Sequence, residues 1–221
     1  KPYTRIIMAF IIAEIGQAHE GSLGMAHAYI DAVAKSGCHA IKFQTHIADA
    51  ESSIHEPFRV KFSTQDKTRQ EYWRRMEFSL AQWKELKQHC DEVSLEFMSS
   101  PFSNAAVDIL EDVGVKRYKI GSGECNNYPL LKHIAHFGKP VILSTGMNTI
   151  ESVKNAVAIF DTYNVPVALL HTTNLYPTPS HLVRFGAMME LHNAFPDKVF
   201  GLSDHTLNNN ACLGAVALGA S

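Results

Sequence analysis

Short apolar runs alternate along the chain with stretches whose apolar residues recur at helical spacing. The runs are Ile6–Ala13, Cys38–Phe43, Leu95–Ser99, Arg117–Ile120, Val141–Ser144, Val167–Leu170 and Val199–Leu202. They lack the strict alternation of a strand with one wet face. They read instead as strands buried on both faces, the pattern of a parallel sheet covered by helices. Between them, sets such as Ala26, Ile30, Val33 and Ala34 share one helical face. One unit per ~30 residues fits a (β/α)8 TIM barrel. An open doubly wound sheet is the alternative, but its G-x-G-x-x-G turn is absent after the first run, where Glu14-Ile15-Gly16-Gln17 stands. No eighth run follows. The expectation is an α/β chain of TIM-barrel type, truncated after the seventh βα unit, with residues 1–221 as its catalytic domain. From Thr45 to about Ser79 no core element is evident, and a long functional loop is expected there. Pro177 and Pro179 mark a rigid loop.

Composition narrows the class. Hydrophobic residues at 46% and charged residues at 19% exclude a disordered chain. A net charge of -2 argues against nucleic acid or an anionic membrane as the main partner. No apolar run reaches the ~18 residues of a membrane span, and Ile6–Ala13 lacks the flanks of a signal peptide. Four isolated cysteines, Cys38, Cys90, Cys125 and Cys212, read as reduced thiols in a cytoplasm.

The polar residues that matter fall at strand ends, where βα barrels keep their chemistry. The ends carry Glu14; Lys42 and Gln44; Ser99 and Ser100; Lys119, Ser122 and Glu124; Ser144, Thr145 and Gly146; His171 to Tyr176; and Ser203, Asp204 and His205. Loops are polar anyway, which accounts for the serines. It does not account for Lys42 and Lys119, each set between apolar neighbours, where a charge is costly without an anionic partner. Gly121 and Gly123 let backbone N–H groups approach an anion, although a tight turn would use them equally well. Glu14 and Glu124 suit general acid–base work, or else structural ion pairs with the two lysines. Asp204-His205 is the best metal candidate, but one histidine is not a site. His19, His27, His39, His46, His133, His136, His181 and His192 read as surface or packing residues. Trp73 and Trp83, near Met76 and Phe78, read as core or loop anchors rather than a stacking platform.

Taken in order, the segments Ile11 to Gly16, His19 to Leu23, Lys42-Phe43-Gln44-Thr45-His46, Ser100 to Ser103, Tyr118 to Tyr128, Leu143 to Met147, Thr173 to Pro179 and Gly201 to Thr206 make the chain resemble the N-acetylneuraminate (sialic acid) synthase family, bacterial type. The resemblance implies condensation of phosphoenolpyruvate with N-acetylmannosamine and water to give N-acetylneuraminate and phosphate. It also implies a divalent ion, Mn2+ or Mg2+, a C-terminal antifreeze-like domain beyond Ser221, and a domain-swapped homodimer. On this sequence it implies that Lys42, Ser100, Lys119, Ser122, Ser144, Asn174 and Ser203 hold phosphoenolpyruvate with Gln44 beside them. Tyr176 would contact the acetylated sugar, and His205 would be one metal ligand. Glu14 and Glu124 are the catalytic candidates. Other expectations stay open: a diacetylated hexose of the legionaminic acid type; a 6-phosphate sugar served by the basic Lys61–Arg75 stretch; or a catalytically silent sugar- and anion-binding barrel.

Overall fold

The computed structural model describes residues 9–58 and 61–221. The chain divides into two compact units, one of Ile11–Tyr118 and one built on Lys119–Ser221. Parallel strands alternate with helices throughout.

The first unit carries the sheet β1 (Ile12–Gly16), β2 (Ala40–Thr45) and β3 (Glu96–Pro101), hydrogen-bonded in that order. Helix α1 (Leu23–Ala34) follows β1, with the Ser22 hydroxyl accepting from the Met25 N–H at its start. After β2 come α2 (Ala48–Glu51), α3 (Arg69–Met76) and α4 (Leu80–Glu92), and α5 (Asn104–Val113) follows β3. The core is aromatic. Phe43 stacks on Phe97 at 5.8 Å, and Trp83 meets both rings and Phe78 edge-on.

The second unit carries β4 (Tyr118–Ile120), β5 (Val141–Ser144), β6 (Val167–Thr172) and β7 (Val199–Ser203), again in chain order. Its helices are α6 (Tyr128–His136), α7 (Ile150–Thr162), α8 (Phe185–Ala194) and α9 (Asn210–Ala217). Each helix turns apolar residues inward, for example Leu130, Leu131 and Ile134 of α6 and Val153, Val157 and Phe160 of α7. Neither sheet reverses its strand order as a doubly wound sheet does at its switch point.

Two expectations need correction. The run Ile6–Ala13 contributes only its last residues to β1; its described part begins at Ala9, and the strand continues through Glu14 to Gly16. The stretch from Thr45 to Ser79 is not structureless. Thr68 and Glu71 form a capping box that starts α3, from which Tyr72 and Met76 are buried. The helix escapes an apolar-periodicity reading because only those two of its eight residues are buried. Its register is set by the cap.

Candidate active site

Parallel pairing brings the strand-end residues of each sheet together by register. In the first unit Glu14 lies opposite Lys42, and Gln44 lies opposite Ser100. Lys42 is 7% exposed, and its Nζ donates to Ser100 Oγ at 3.2 Å and pairs with a Glu14 carboxylate oxygen. In the second unit Lys119 is 5% exposed and donates to Ser144 Oγ at 2.7 Å and to the Ile120 carbonyl at 3.0 Å. One device therefore occurs twice: a buried lysine on one strand bonded to a serine on another, Lys42 on β2 with Ser100 on β3, and Lys119 on β4 with Ser144 on β5. In both cases the serine oxygen accepts from an ammonium, which leaves the hydroxyl proton to donate to an anion.

The β4 and β5 loops are bound to each other. Ser122 Oγ accepts from the Gly146 N–H at 3.0 Å, and Asn148 Nδ2 donates to the Ser122 and Gly146 carbonyls at 2.9 and 2.8 Å. Asn148 is a site-building residue that the strand-end reading missed, because it follows the strand by four positions. Gly146 is required sterically: a Cβ there would lie 1.8 Å from Asn174 Oδ1 and 2.7 Å from the Thr172 carbonyl. Asn174 Oδ1 is itself buried with no hydrogen-bond partner, an acceptor open to a ligand hydroxyl.

The two acids differ. Glu14 is the ion-pair partner of Lys42, the structural alternative. Glu124, in the 3-10 turn Ser122–Glu124, accepts from Asn127 Nδ2 at 2.7 Å.

His205 Nδ1 bonds to the Thr173 carbonyl at 3.0 Å, and the Tyr176 ring lies 4.0 Å from the imidazole. A carbonyl only accepts, so Nδ1 carries a proton, which leaves Nε2 as the ring nitrogen that could face a metal. Asp204 does not join it. Its carboxylate accepts from the Thr206 N–H and hydroxyl at 3.1 and 2.8 Å. Among the described residues no three His, Cys, Asp or Glu side chains gather to hold a metal ion. They supply one prepared imidazole and do not make up the Mn2+ or Mg2+ site that the resemblance implies, so no step is assigned to a metal.

Two histidines read as packing prove more particular. His46, 6% exposed, stacks between Trp73 at 3.8 Å and Phe102 at 4.2 Å. Trp73 thus anchors the 45–79 stretch against His46, and Trp83 lies in the core, both as expected. His19 is fully buried, and its Nδ1 accepts from the Gly21 N–H at 3.1 Å. Burial lowers its pKa to about 4, Glu20 opposing the shift and His46 adding to it. The unfolded histidine then takes a proton before the folded one does. Stability contributed by the neutral ring is present above pH 6.5 and declines as pH falls toward 4, by at most about 1.4 kcal/mol per pH unit. Thermal unfolding between pH 7 and 4.5 should show a shallower pH slope in His19→Phe than in the unsubstituted chain; equal slopes would contradict the assignment.

The four cysteines are free thiols, with Cys90 and Cys125 buried. Burial pushes Cys90 up to about 12 and Cys125 to about 11, so neither is an active thiolate at neutral pH. No helix among the described residues is long and apolar enough to cross a membrane.

Parallel strands alternating with helices, with a buried lysine–serine pair at the strand ends of each unit, define an α/β protein of the TIM-barrel type. The NeuB family profile matches residues 29–221, and the chain belongs to that family. The N,N'-diacetyllegionaminic acid synthase of Campylobacter jejuni is 37% identical over 216 residues, 95% of this chain and 64% of the relative. The N-acetylneuraminate-9-phosphate synthase of Homo sapiens is 34% identical over 214 residues, 96% and 59%. The crystal structure of an N-acetylneuraminic acid synthetase from Leptospira borgpetersenii, in complex with citrate, matches with a TM-score of 0.84 at 29% identity, over 97% of this chain and 71% of that one. The chain spans about three fifths of the length of the curated relatives it matches.

Proposed function

We propose that the protein is a phosphoenolpyruvate-dependent nonulosonic acid synthase that condenses phosphoenolpyruvate with N-acetylmannosamine and water, yielding N-acetylneuraminate and phosphate. The observation that carries the reading is the repeated lysine–serine device. Phosphoenolpyruvate has two anionic groups, a phosphate and a carboxylate. Lys42 with Ser100 and Lys119 with Ser144 are two cationic donors of matching chemistry. Ser122, Asn174 and Ser203 complete the proposed phosphoenolpyruvate set with Gln44 beside them, and Tyr176 contacts the acetylated sugar. These assignments rest on the resemblance and on the chemistry of each group taken separately.

In the proposed reaction C3 of phosphoenolpyruvate attacks the aldehyde carbon of the open-chain sugar. Cationic character develops at C2, water adds there, and the tetrahedral intermediate expels phosphate by C–O cleavage. Glu124 handles the proton of the water or the reacting C3 face. Glu14, the ion-pair partner of Lys42, stabilises the developing cation or positions the sugar hydroxyls. His205 is proposed as one ligand of a manganese or magnesium ion whose remaining ligands come from groups other than the described residues. A cytoplasmic homodimer is part of the same proposal.

The acceptor is proposed to be unphosphorylated. The three arginines of the basic stretch that would have to receive a sugar phosphate are engaged in internal ion pairs. Arg69 pairs with Glu56 at 2.8 Å, Arg74 with Asp49, and Arg75 with Asp66 and Glu20 at 2.8 and 3.1 Å. The test is phosphate release from phosphoenolpyruvate by the full-length protein with N-acetylmannosamine, its 6-phosphate and a 2,4-diacetamido hexose. The highest kcat/KM is expected with N-acetylmannosamine. Preference for the 6-phosphate would overturn the acceptor assignment, and release with none of the three would overturn the synthase reading.

A further inference from the structure

Gln44 stands at the end of β2 with its side-chain oxygen 3.2 Å from His46 Nε2. His46 Nδ1 lies 2.5 Å from Glu51 Oε1. Gln44 turns its carbonyl oxygen and Glu51 a carboxylate oxygen toward the ring, an arrangement in which His46 donates to Glu51 on one side and to Gln44 on the other. The ring cannot tilt out of this line, because Trp73 and Phe102 cover its two faces at interplanar angles of 13° and 11°. Glu51 is anchored with equal economy. Its side chain is 9% exposed, its second carboxylate oxygen is buried with no partner, and its first oxygen is held by His46.

With its oxygen turned toward His46, Gln44 aims its NH2 group the other way. That nitrogen borders the same spot as Glu14: a Cβ on Gly16 would lie 3.2 Å from Glu14 Oε1 and 3.8 Å from Gln44 Nε2. We propose that His46, oriented by Glu51, is a positioning residue that fixes Gln44 as a hydrogen-bond donor beside Glu14. Gln44 thereby selects an acceptor sugar that presents an oxygen lone pair there, next to a carboxylate that accepts a hydrogen bond from a sugar hydroxyl. The inference rests on the synthase reading and adds a specificity determinant to it. A glutamine free to rotate would accept or donate indifferently; the relay removes that ambiguity before substrate arrives.

His46→Phe keeps the stacking and deletes both donors. In the full-length protein it should raise the KM for N-acetylmannosamine about tenfold to a hundredfold while the KM for phosphoenolpyruvate stays within about twofold. His46→Phe combined with Gln44→Ala should be no worse than Gln44→Ala alone, because His46 acts only through Gln44. Independent additive losses, or equal rises in both KM values, would overturn the positioning role. A second measurement does not need turnover. Long-range 15N NMR should show protons on both His46 ring nitrogens, and the Gln44 side-chain amide signals should shift in His46→Phe. A single protonated ring nitrogen overturns the relay even if the protein is a synthase. Two protonated nitrogens in a protein that consumes no phosphoenolpyruvate would leave the relay standing and remove the synthase reading.

Discussion

Replacing Lys119 by Met should leave the protein folded and nearly inactive. The lysine is 5% exposed within β4, so the cost of keeping a charge there falls on the folded state. Methionine preserves most of the volume and removes that cost, so the melting temperature should hold or rise, as happens where a site residue is retained for function rather than stability. The anion, by contrast, loses a charge-assisted hydrogen bond, and Ser144 loses the donor that fixes its hydroxyl. About 2–5 kcal/mol of transition-state stabilisation should disappear, roughly thirty-fold to several-thousand-fold in kcat/KM for phosphoenolpyruvate. Lys119→Arg should not restore it, because the longer planar guanidinium does not fit a site built around a point charge. Ser144→Ala should cost less, about tenfold, as the loss of one hydrogen bond. An unchanged dependence on phosphoenolpyruvate concentration in Lys119→Met would remove the lysine from the anion site.

Gly146→Ala should damage fold and site together. The added methyl group would sit 2.7 Å from the Thr172 carbonyl, which belongs to a strand and cannot step aside, and 1.8 Å from Asn174 Oδ1. Relief requires moving the β5 loop, and with it the 3.0 Å bond from the Gly146 N–H to Ser122 Oγ. Overpacking of this kind costs about 1–3 kcal/mol, a fall of roughly 2–12 °C in melting temperature for a chain of this size. Activity should fall at least tenfold as Asn174 and Ser122 leave their positions. Gly186→Ala is the matched control: it lies in α8 with nothing within 4 Å of its new Cβ, and should be neutral or slightly stabilising. Equal melting temperatures for the two variants would show that the Gly146 contact is not tight.

These effects trace what the sequence discloses and what it hides. β5 was legible at both ends, Val141–Ser144, because its four residues are all buried and no charge interrupts them. β1 was placed too early because its defining residue is a charge. Glu14 belongs in the strand through its register with Lys42, and a reading of apolar runs stops at such a residue. Lys42 and Lys119 were visible for the opposite reason, as charges flanked by apolar neighbours on both sides. The buried state of His46 was not visible. It depends on Trp73, far along the chain on α3, and on Phe102 after β3, and nothing local to the Gln44-Thr45-His46 segment signals that two aromatic faces will close on it. Thr68 and Glu71 did signal the start of α3, at the spacing of a capping box, inside a stretch read as loop.

The most direct test of the central claim follows one atom. Phosphoenolpyruvate carrying 18O in the oxygen that bridges C2 and phosphorus is incubated with the full-length protein and N-acetylmannosamine, and the released phosphate is analysed by mass spectrometry. C–O cleavage of a tetrahedral intermediate sends the label out with phosphate, one phosphate per N-acetylneuraminate formed, and no release without the sugar. Unlabelled phosphate, or release that does not depend on the acceptor, would mean that the P–O bond breaks and that the protein is not the synthase proposed.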